Sequence, residues 1–234
     1  IDWLSLPTGL SWLDIGCGSG ALSEAVITKN NPDEVIAIDQ SENFVSTAQQ
    51  RLGNQAKCKV GNALSLPLDD ASANVTISGL VLNFLPDPEK ALAEMKRVTK
   101  KGGTVAVYIW DYAGSMELLK YFWDTAVQLN PNAFSLHESH RFSEANAEAL
   151  SAAFKRAGFA EVETAPIEVT TTFSDFDDYW KPFLGGQGPA PTYVLKLEDT
   201  ARNHLRDALA QRLPIKEDGS IQLTARAWAA KGLA

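Results

Sequence analysis

The sequence has little cysteine and histidine, no excess of basic residues and no long apolar run. Its 234 residues include two cysteines and three histidines, and the formal net charge at pH 7 is −8. Two cysteines are too few to form a disulfide framework in a chain of this length, and their spacing does not resemble a zinc site. An acidic chain lacks the positive field that holds a nucleic-acid backbone. We therefore expect a small-molecule ligand, no nucleic acid and no bound metal.

The chain shows neither a run of about 18 apolar residues nor a charged leader followed by an apolar segment. We therefore expect no membrane span and no secretory signal, and a cytoplasmic location that suits the low cysteine content. The first residue is Ile1 and not methionine, which is consistent with further sequence upstream. His137 and His140 form the fragment "HESH", but a pair without a third nearby ligand is typical of a solvated loop.

Short apolar runs alternate with amphipathic segments in the first half of the chain. Strands are predicted at 11–15, 34–39, 56–60, 74–79 and 103–110, and helices at about 19–29, 42–52 and 88–99. Strand followed by helix, repeated, predicts a parallel sheet with right-handed crossovers. The basic and glycine residues at 100–103 are predicted to close the third helix.

The second half of the chain is less regular. Helices are predicted at about 115–129, 143–157 and 196–212, and strands at 160–169 and 220–232. An aromatic segment with glycine and proline, 171–193, is predicted to be an insertion over one face of the sheet. Five aromatic residues on segments that follow strand ends are candidate pocket walls: Trp110, Tyr112, Trp123, Tyr179 and Trp180. The alternative is that these aromatic side chains only pack the insertion onto the sheet.

The stretch "WLDIGCGSGALSEAV", 12–26, follows the first predicted strand and opens the first helix. Free backbone N–H groups and the helix dipole favour a negatively charged ligand group there, and the glycines allow a sharp turn. The stretch also fits the looser dinucleotide pattern, in which Asp39 is spaced to accept a ribose hydroxyl. Asp14 argues against a dinucleotide and for a ligand that carries positive charge. A buried carboxylate needs hydrogen-bond donors or a cation, and a ligand ammonium or sulfonium would supply positive charge nearby.

Three segments resemble the class I S-adenosylmethionine-dependent methyltransferases. These are "LDIGCGSG" at 13–20, "AIDQSE" at 37–42 and the segment 61–107, and they are most similar to the small-molecule and quinone branch with its methyltransferase type 11-like domain. The resemblance implies a Rossmann-like fold, with a mostly parallel seven-stranded sheet, helices on both faces and helical lid insertions. It implies one methyltransferase domain over 1–234, with a cofactor-binding core at about 10–110 and substrate-side segments at about 111–141 and 173–212.

The resemblance also implies a cofactor, S-adenosylmethionine, with S-adenosylhomocysteine as its product, and a small organic methyl acceptor. Asp14 and the carbonyls of Ser78 and Gly79 are expected near the cofactor ammonium, and Asp39 at the ribose hydroxyls. The full set of expected cofactor residues is Asp14, Gly16, Cys17, Gly18, Ser19, Asp39, Gln40, Asn62, Ala63, Leu64, Ser78 and Gly79. The expected acceptor residues are Asn83, Trp110, Tyr112, Tyr179 and Trp180. Asn83 stands where close relatives often carry histidine, and no catalytic residue is assigned.

Two other functions fit parts of the pattern. An NAD(P)-dependent oxidoreductase would use the same glycine turn, but the chain has no Y-x-x-x-K pair to supply a catalytic acid. A non-catalytic protein could keep the fold and bind S-adenosylmethionine without turnover. Asp39 could serve only as a cap of the following helix, and Cys17 is expected to be a small filler residue. The acceptor, the methylated atom and the oligomeric state stay open.

Overall fold

The computed structural model describes residues 1–143, 145–186 and 188–234. These residues form two compact units. Unit 1 comprises residues 1–109, 147–165 and 228–234, and unit 2 comprises residues 110–146 and 166–227. Each unit contains its own cluster of buried apolar side chains.

The described residues form strands and helices that alternate in the first half of the chain. The strands are β1 (Ser11–Ile15), β2 (Glu34–Asp39), β3 (Lys57–Val60), β4 (Ala73–Gly79), β5 (Thr99–Trp110), β6 (Ala160–Phe173) and β7 (Ile221–Leu233). The helices are α1 (Ala21–Asn30), α2 (Glu42–Leu52), α3 (Pro88–Val98), α4 (Glu117–Leu129), α5 (Glu138–Arg141), α6 (Ala147–Arg156), α7 (Phe176–Trp180), α8 (Pro189–Leu195) and α9 (Asp199–Arg212). None of the helices in these described ranges is both long and apolar enough to cross a membrane.

The strands form one sheet in the order β3-β2-β1-β4-β5-β7-β6. Strands β1 to β5 pair in parallel, whereas β7 runs antiparallel to β5, since Gly102 N donates to Ala234 O and Asp111 N donates to Arg226 O. The predicted seven-stranded, mostly parallel sheet is therefore confirmed. Strand β1 lies between β2 and β4, so the strand order reverses there. In open parallel sheets, such a reversal creates a crevice at the carboxyl ends of the strands.

The apolar strand residues predicted from the sequence supply the core of unit 1. In β1, Trp12 and Leu13 are almost fully buried, and in β4 Val75 and Ile77 are as well. Such continuous apolar runs are expected for parallel strands that are covered on both faces. The core thereby holds the ends of β1, β2 and β4 in a fixed register.

The prediction that residues 100–103 close the third helix is wrong. Helix α3 ends at Val98, and the chain enters β5 at once, with Thr99 in an extended conformation. The Thr99 hydroxyl donates to Met95 O at 2.6 Å and lies 2.7 Å from the Thr76 hydroxyl, which anchors the strand start next to β4. The other predicted elements are found with small shifts of their ends. Glu144, in the predicted helix 143–157, lies outside the described residues.

Aromatic side chains form the core of unit 2. Phe122 stacks on Phe183 with ring centroids 4.5 Å apart, and Tyr179 packs at 5.5 Å from the same Phe183 ring. The Tyr179 hydroxyl donates a hydrogen bond to Leu118 O at 3.0 Å. Tyr179 is 0% exposed and Trp180 is 6% exposed. This burial favours the alternative in which the two residues pack the insertion instead of facing a ligand.

Candidate functional site

The glycine-rich turn after β1 is fixed against the neighbouring strand. The backbone N–H groups of Gly16 and Cys17 both donate to Ile38 O, at 2.7 and 3.0 Å. Gly16 has a φ of +72°, and a Cβ at this position would lie 2.5 Å from Val81 Cγ2. Only glycine fits this backbone conformation and this close approach. The turn therefore brings bare backbone to the carboxyl ends of β1 and β2.

Asp39, the last residue of β2, organises the same turn. Its Oδ2 accepts a hydrogen bond from Gly18 N at 3.0 Å, and its Oδ1 accepts one from Ser41 N at 2.9 Å. The cap of α2 is Ser41, whose hydroxyl accepts from Phe44 N, so Asp39 is not the helix cap. Each carboxylate oxygen can accept more than one hydrogen bond. Asp39 is therefore able to accept ligand hydroxyls while it holds the turn.

Asp14 is a buried carboxyl group with one oxygen available. The side chain is 1% exposed, and its Oδ2 accepts a hydrogen bond from the Ser23 hydroxyl at 2.7 Å. Its Oδ1 has no partner among the described residues. Burial raises the pKa of Asp14 to about 6, hydrogen bonds from Ser23 oppose this shift, and the charge of Asp39 adds to it. A cationic ligand group beside Oδ1 would stabilise the carboxylate.

A pocket of about 240 Å³ lies in unit 1 at the ends of β1 and β2. Five of the residues expected to hold the cofactor line it: Gly16, Asp39, Gln40, Asn62 and Ala63. The remaining lining residues are mainly apolar: Ile15, Ile38, Phe44, Gly61, Leu80, Val81, Phe84 and Leu85. Asn62 Oδ1 accepts from Leu64 N at 2.8 Å, which forms the turn that brings Asn62 and Ala63 to the pocket. A pocket with a carboxylate beside apolar walls suits a ribose joined to a flat heterocycle.

Sequence analysis missed the apolar walls of this pocket. Phe44 lies in the first turn of α2 and is 52% exposed, and Phe84 lies after β4 and is 56% exposed. Phe44 is an aromatic residue in a polar helix that begins shortly after a strand end. An aromatic side chain there does not contribute to the apolar core, and this pattern could have identified the position. The pattern of α2 therefore indicates an exposed position for Phe44 and not a core position.

The other residues expected to hold the cofactor lie outside the pocket lining. They are Asp14, Cys17, Gly18, Ser19, Leu64, Ser78 and Gly79. The Ser78 hydroxyl donates to Ile15 O at 2.7 Å and ties β4 to the end of β1. Burial, followed by the charges of Asp14 and Asp39, raises the pKa of the Cys17 thiol to about 12. Cys17 therefore stays protonated near neutral pH, which suits a filler residue and not a nucleophile.

Two further polar side chains lie near the end of β4. Gly79 pairs with Tyr108 of β5, and a Cβ on Gly79 would lie 2.5 Å from the Tyr108 hydroxyl oxygen. The tyrosine ring therefore covers the end of β4. The amide nitrogen and oxygen of Asn83 are buried and have no hydrogen-bond partner among the described residues. Sequence analysis named Asn83 and assigned no role to Tyr108, because a tyrosine inside an apolar strand pattern is typical of the core.

The remaining expected acceptor residues belong to unit 2. Tyr112 stacks on Phe142 with ring centroids 4.9 Å apart, and Trp110 is half-buried. Tyr179 and Trp180 lie in the aromatic core described above. Unit 2 has a pocket of its own, of about 350 Å³, and none of the expected residues lines it. Its lining residues are Leu136, Arg141, Gly188, Pro189, Thr192, Tyr193 and Lys196.

The expectation of a solvated loop around His137 is wrong. His137 is 6% exposed, and its ring stacks on Trp123 with centroids 6.0 Å apart. Its Nδ1 accepts a hydrogen bond from Ser139 N at 3.1 Å, and its Nε2 lies 3.5 Å from Asp124 Oδ1. Burial lowers the pKa of His137, although Asp124 partly opposes this effect. Within the part of the chain that the structure describes, no three His, Cys, Asp or Glu residues are placed to hold a metal ion.

Replacing Asp14 with asparagine should stabilise the ligand-free protein at pH 8 and not at pH 4. The pKa of Asp14 is raised from 3.8 to about 6, so between these values the folded chain keeps a proton that the unfolded chain releases. The free energy of unfolding therefore falls as the pH rises through this window, by about 3 kcal/mol in total. Asp14→Asn should recover about 1 to 2 kcal/mol at pH 8, because a partly unpaired amide still costs energy.

Urea unfolding at both pH values measures this difference. The exposed residue Asp207 supplies the control, since Asp207→Asn should leave the pH dependence unchanged. Equal stability changes for Asp14→Asn at pH 4 and pH 8 would contradict the raised pKa.

Comparison with known proteins shows which proteins part of this chain resembles. A family model described as "Methyltransferase domain" matches residues 13–107. Demethylmenaquinone methyltransferase of Desulfitobacterium hafniense is 36% identical over 111 residues, which cover 45% of this chain and 44% of that protein. The protein of the same name from Staphylococcus carnosus is 28% identical over 176 residues, covering 68% of this chain and 72% of that protein. The match to this chain covers less than half the length of three of the curated relatives: 32%, 46% and 44%.

Solved structures share the fold at low sequence identity. The YcgJ protein of Bacillus subtilis superposes with a TM-score of 0.62 at 19% identity, covering 99% of this chain and 94% of that chain. Phosphoethanolamine N-methyltransferase 2 of Haemonchus contortus, solved with S-adenosylmethionine, superposes with a TM-score of 0.59 at 17% identity. That match covers 97% of this chain and 49% of the other. At these identities, the structures establish the shared fold.

Proposed function

We propose that this chain, which carries a domain of the class I S-adenosylmethionine-dependent methyltransferase family, binds S-adenosylmethionine and transfers its methyl group to a small organic molecule. One observation carries the proposal: the glycine turn, the buried Asp14 and the pocket-lining Asp39 lie together at the ends of β1 and β2. A ligand with a ribose and an ammonium group matches the two carboxylates.

The residues of unit 1 divide the binding task. Asp39 offers acceptor oxygens for the ribose hydroxyls, while Phe44 and the turn at Asn62 and Ala63 form walls for the adenine. Asp14 Oδ1 would bind the ammonium group, whose positive charge offsets the cost of the buried carboxylate. The bare backbone at Gly16 lets the ligand approach the turn closely. The other members of the expected set also belong to this proposal: Cys17, Gly18, Ser19, Gln40, Leu64, Ser78 and Gly79.

The chemistry places modest demands on the protein. The cofactor supplies a methyl group that is already activated on a sulfonium. The protein must align the acceptor with the carbon–sulfur bond and exclude water, which can lower the barrier by roughly 7 to 11 kcal/mol. An amine or an acidic hydroxyl would need no dedicated base. The unpartnered amide of Asn83 is available to orient such an acceptor near the end of β4.

The class of acceptor rests on the relatives. Several curated relatives are demethylmenaquinone methyltransferases, so a quinone is one member of the proposed class of acceptors. We assign the core at about 10–110 to the cofactor, and the segments at about 111–141 and 173–212 to the acceptor, with Trp110 and Tyr112 as candidate contacts. The burial of Tyr179 and Trp180 supports a structural role for these two residues.

Cys17 and Cys58 are free thiols, which suits a reducing compartment such as the cytoplasm.

Isothermal titration calorimetry with four ligands tests the proposal: S-adenosylmethionine, S-adenosylhomocysteine, NADH and NADPH. We expect saturable binding of the first two and no binding of the nicotinamide cofactors. Binding of NADH or NADPH alone would favour an oxidoreductase and overturn the proposal. If both S-adenosyl compounds bind, a screen of amine, phenol and quinol acceptors with methyl-labelled cofactor separates an enzyme from a non-catalytic binding protein.

A further inference from the structure

Unit 2 contains a second pocket, in which a serine hydroxyl, an imidazole ring and a carboxylate form one chain of contacts. Its volume is about 380 Å³, and Asp124, His137 and Ser139 all line it. The Ser139 hydroxyl lies 2.9 Å from His137 Nδ1, and His137 Nε2 lies 3.5 Å from Asp124 Oδ1. All three residues belong to unit 2, so the chain of contacts is complete within one compact unit.

The backbone determines which nitrogen of His137 is free to take up a proton. Ser139 N lies 3.1 Å from Nδ1 and can only donate, so Nδ1 is an acceptor that carries no proton. The proton of the neutral ring is then on Nε2, which faces Asp124 Oδ1. The Ser139 hydroxyl is therefore the donor in its contact with Nδ1. This is the arrangement of a nucleophile, a general base and a carboxylate that orients the base.

The surroundings of His137 favour the neutral ring. His137 is 6% exposed, and burial lowers its pKa below the usual 6.5. Asp124 opposes this shift, whereas the charges of Lys120 and His140 add to it. Asp124 Oδ2 accepts from Lys120 Nζ at 2.7 Å, so the carboxylate is held while Oδ1 faces the imidazole. The ring is thus able to accept the Ser139 proton near pH 7.

The rest of the pocket adds apolar walls and a cation. Val127 and Phe134 line it, and apolar walls suit the hydrocarbon part of an acyl group. Arg212 also lines it, and its Nη1 donates to Gln128 Oε1 at 2.6 Å. A guanidinium there can stabilise the negative charge that develops on a carbonyl oxygen when a nucleophile adds to it. This combination fits a small carboxylic ester.

We propose that Ser139 is a nucleophile towards activated carboxylic esters, with His137 as its general base and Asp124 as the residue that positions the imidazole. Ser139 Oγ forms a bond to the acyl carbon while its proton moves to His137 Nδ1. The bond from the acyl carbon to the leaving oxygen breaks, and the leaving alcohol takes that proton. Water then adds to the acyl carbon and gives a proton to His137. Ser139 Oγ leaves with this proton, and the carboxylic acid is released. This hydrolysis is an activity separate from methyl transfer.

Labelling of the unmodified protein with a fluorophosphonate tests the nucleophile. The serine oxygen bonds to phosphorus and fluoride leaves with the serine proton, so peptide mass spectrometry identifies the labelled residue. We expect Ser139 to react about 100-fold faster than Ser135, which is the scale of the contribution of a general base. Ser135 is the matched control, because it is exposed and its hydroxyl donates to Asn132 O at 3.2 Å and not to a histidine.

Variants test the other two roles, and a thermal unfolding scan checks that each variant is folded. His137→Gln should slow the labelling of Ser139 by about 100-fold. His140→Gln changes the other histidine of the same fragment and should leave the rate unchanged. Asp124→Ala should slow labelling by about tenfold, because the imidazole loses its orienting partner. Lys120→Ala breaks the ion pair with Asp124 but keeps the carboxylate, so the rate should stay the same.

Hydrolysis of 4-nitrophenyl acetate measures the complete reaction, and Ser139→Ala should remove the release of 4-nitrophenol that exceeds the release by Ser135→Ala-insensitive background groups. Labelling of Ser139 no faster than that of Ser135 would overturn the inference, as would a rate that His137→Gln leaves unchanged. In both cases the contacts with His137 would serve only to cap α5. Equal ester hydrolysis by Ser139→Ala and the unmodified protein would overturn the proposed activity.

Discussion

Replacing Tyr179 with alanine should lower the free energy of unfolding by about 3 to 5 kcal/mol, the range seen when a fully buried aromatic side chain is removed. Tyr179 is 0% exposed and packs at 5.5 Å from the rings of both Phe173 and Phe183. Truncation at the Cβ atom would leave a cavity among aromatic neighbours and would also remove the hydrogen bond that the Tyr179 hydroxyl donates to Leu118 O. Urea unfolding followed by tryptophan fluorescence measures the loss.

Two control variants separate packing from the alternative role in acceptor binding. Tyr179→Phe keeps the ring and loses only the hydrogen bond to Leu118 O, so it should cost about 1 kcal/mol. Leu195→Ala truncates a side chain that is 57% exposed and should cost less than about 0.5 kcal/mol. If Tyr179→Ala retains normal stability but loses methyl transfer, Tyr179 contacts the acceptor and the packing role is refuted.

Replacing Asp39 with alanine should weaken the binding of S-adenosylhomocysteine by about 1.5 to 3 kcal/mol, which corresponds to roughly 10- to 150-fold. The carboxylate has two roles, and alanine removes both. It holds the glycine turn through Gly18 N at 3.0 Å, and it lines the pocket as the proposed acceptor of ribose hydroxyls. Calorimetric titration of the variant with S-adenosylhomocysteine measures the change.

The matched control for Asp39→Ala is Asp87→Ala. Asp87 caps α3 by accepting a hydrogen bond from Lys90 N at 2.9 Å, so its loss destabilises a helix start outside the pocket lining. This variant should lower stability by about 1 kcal/mol and leave the affinity unchanged. An unchanged dissociation constant for a folded Asp39→Ala protein would refute the ribose contact and leave Asp39 with its role in the turn alone.

The parallel strands could be predicted closely, because the pattern that defines them is local. The predicted bounds of β1 at 11–15 and β2 at 34–39 are those found, since each is a short apolar run that ends where the polar site begins. Asp14 could be recognised as an acid two residues before the first glycine of the turn, and Asp39 as an acid at the end of the next strand. In both strands, a short apolar run in the sequence corresponds to the buried part of the strand, and an acid lies at or next to its carboxyl end.

Features that depend on contacts between distant segments could not be predicted. Residues 100–103 carry the composition of a helix end, but Thr99 bonds to Thr76 of a neighbouring strand and the chain continues as β5. His137 has the sequence environment of a loop, but it is buried and its ring stacks on Trp123. Tyr108 resembles a core residue until the strand order places it over Gly79. In each case, the deciding partner is far away along the sequence.

The strand order leaves β3 and β6 at the two margins of the sheet, where unpaired backbone groups can recruit another chain and start aggregation. Both strands carry features that oppose such recruitment. In β3, Lys57 and Lys59 are exposed; Lys57 pairs with Glu34 at 2.6 Å, so Lys59 in particular would bring like charges together if two copies met edge to edge. In β6, Glu161 has a φ of +48°, which distorts the strand near its start, and Pro166 has no N–H to donate. These features disfavour extension of the sheet by the edge of a second copy.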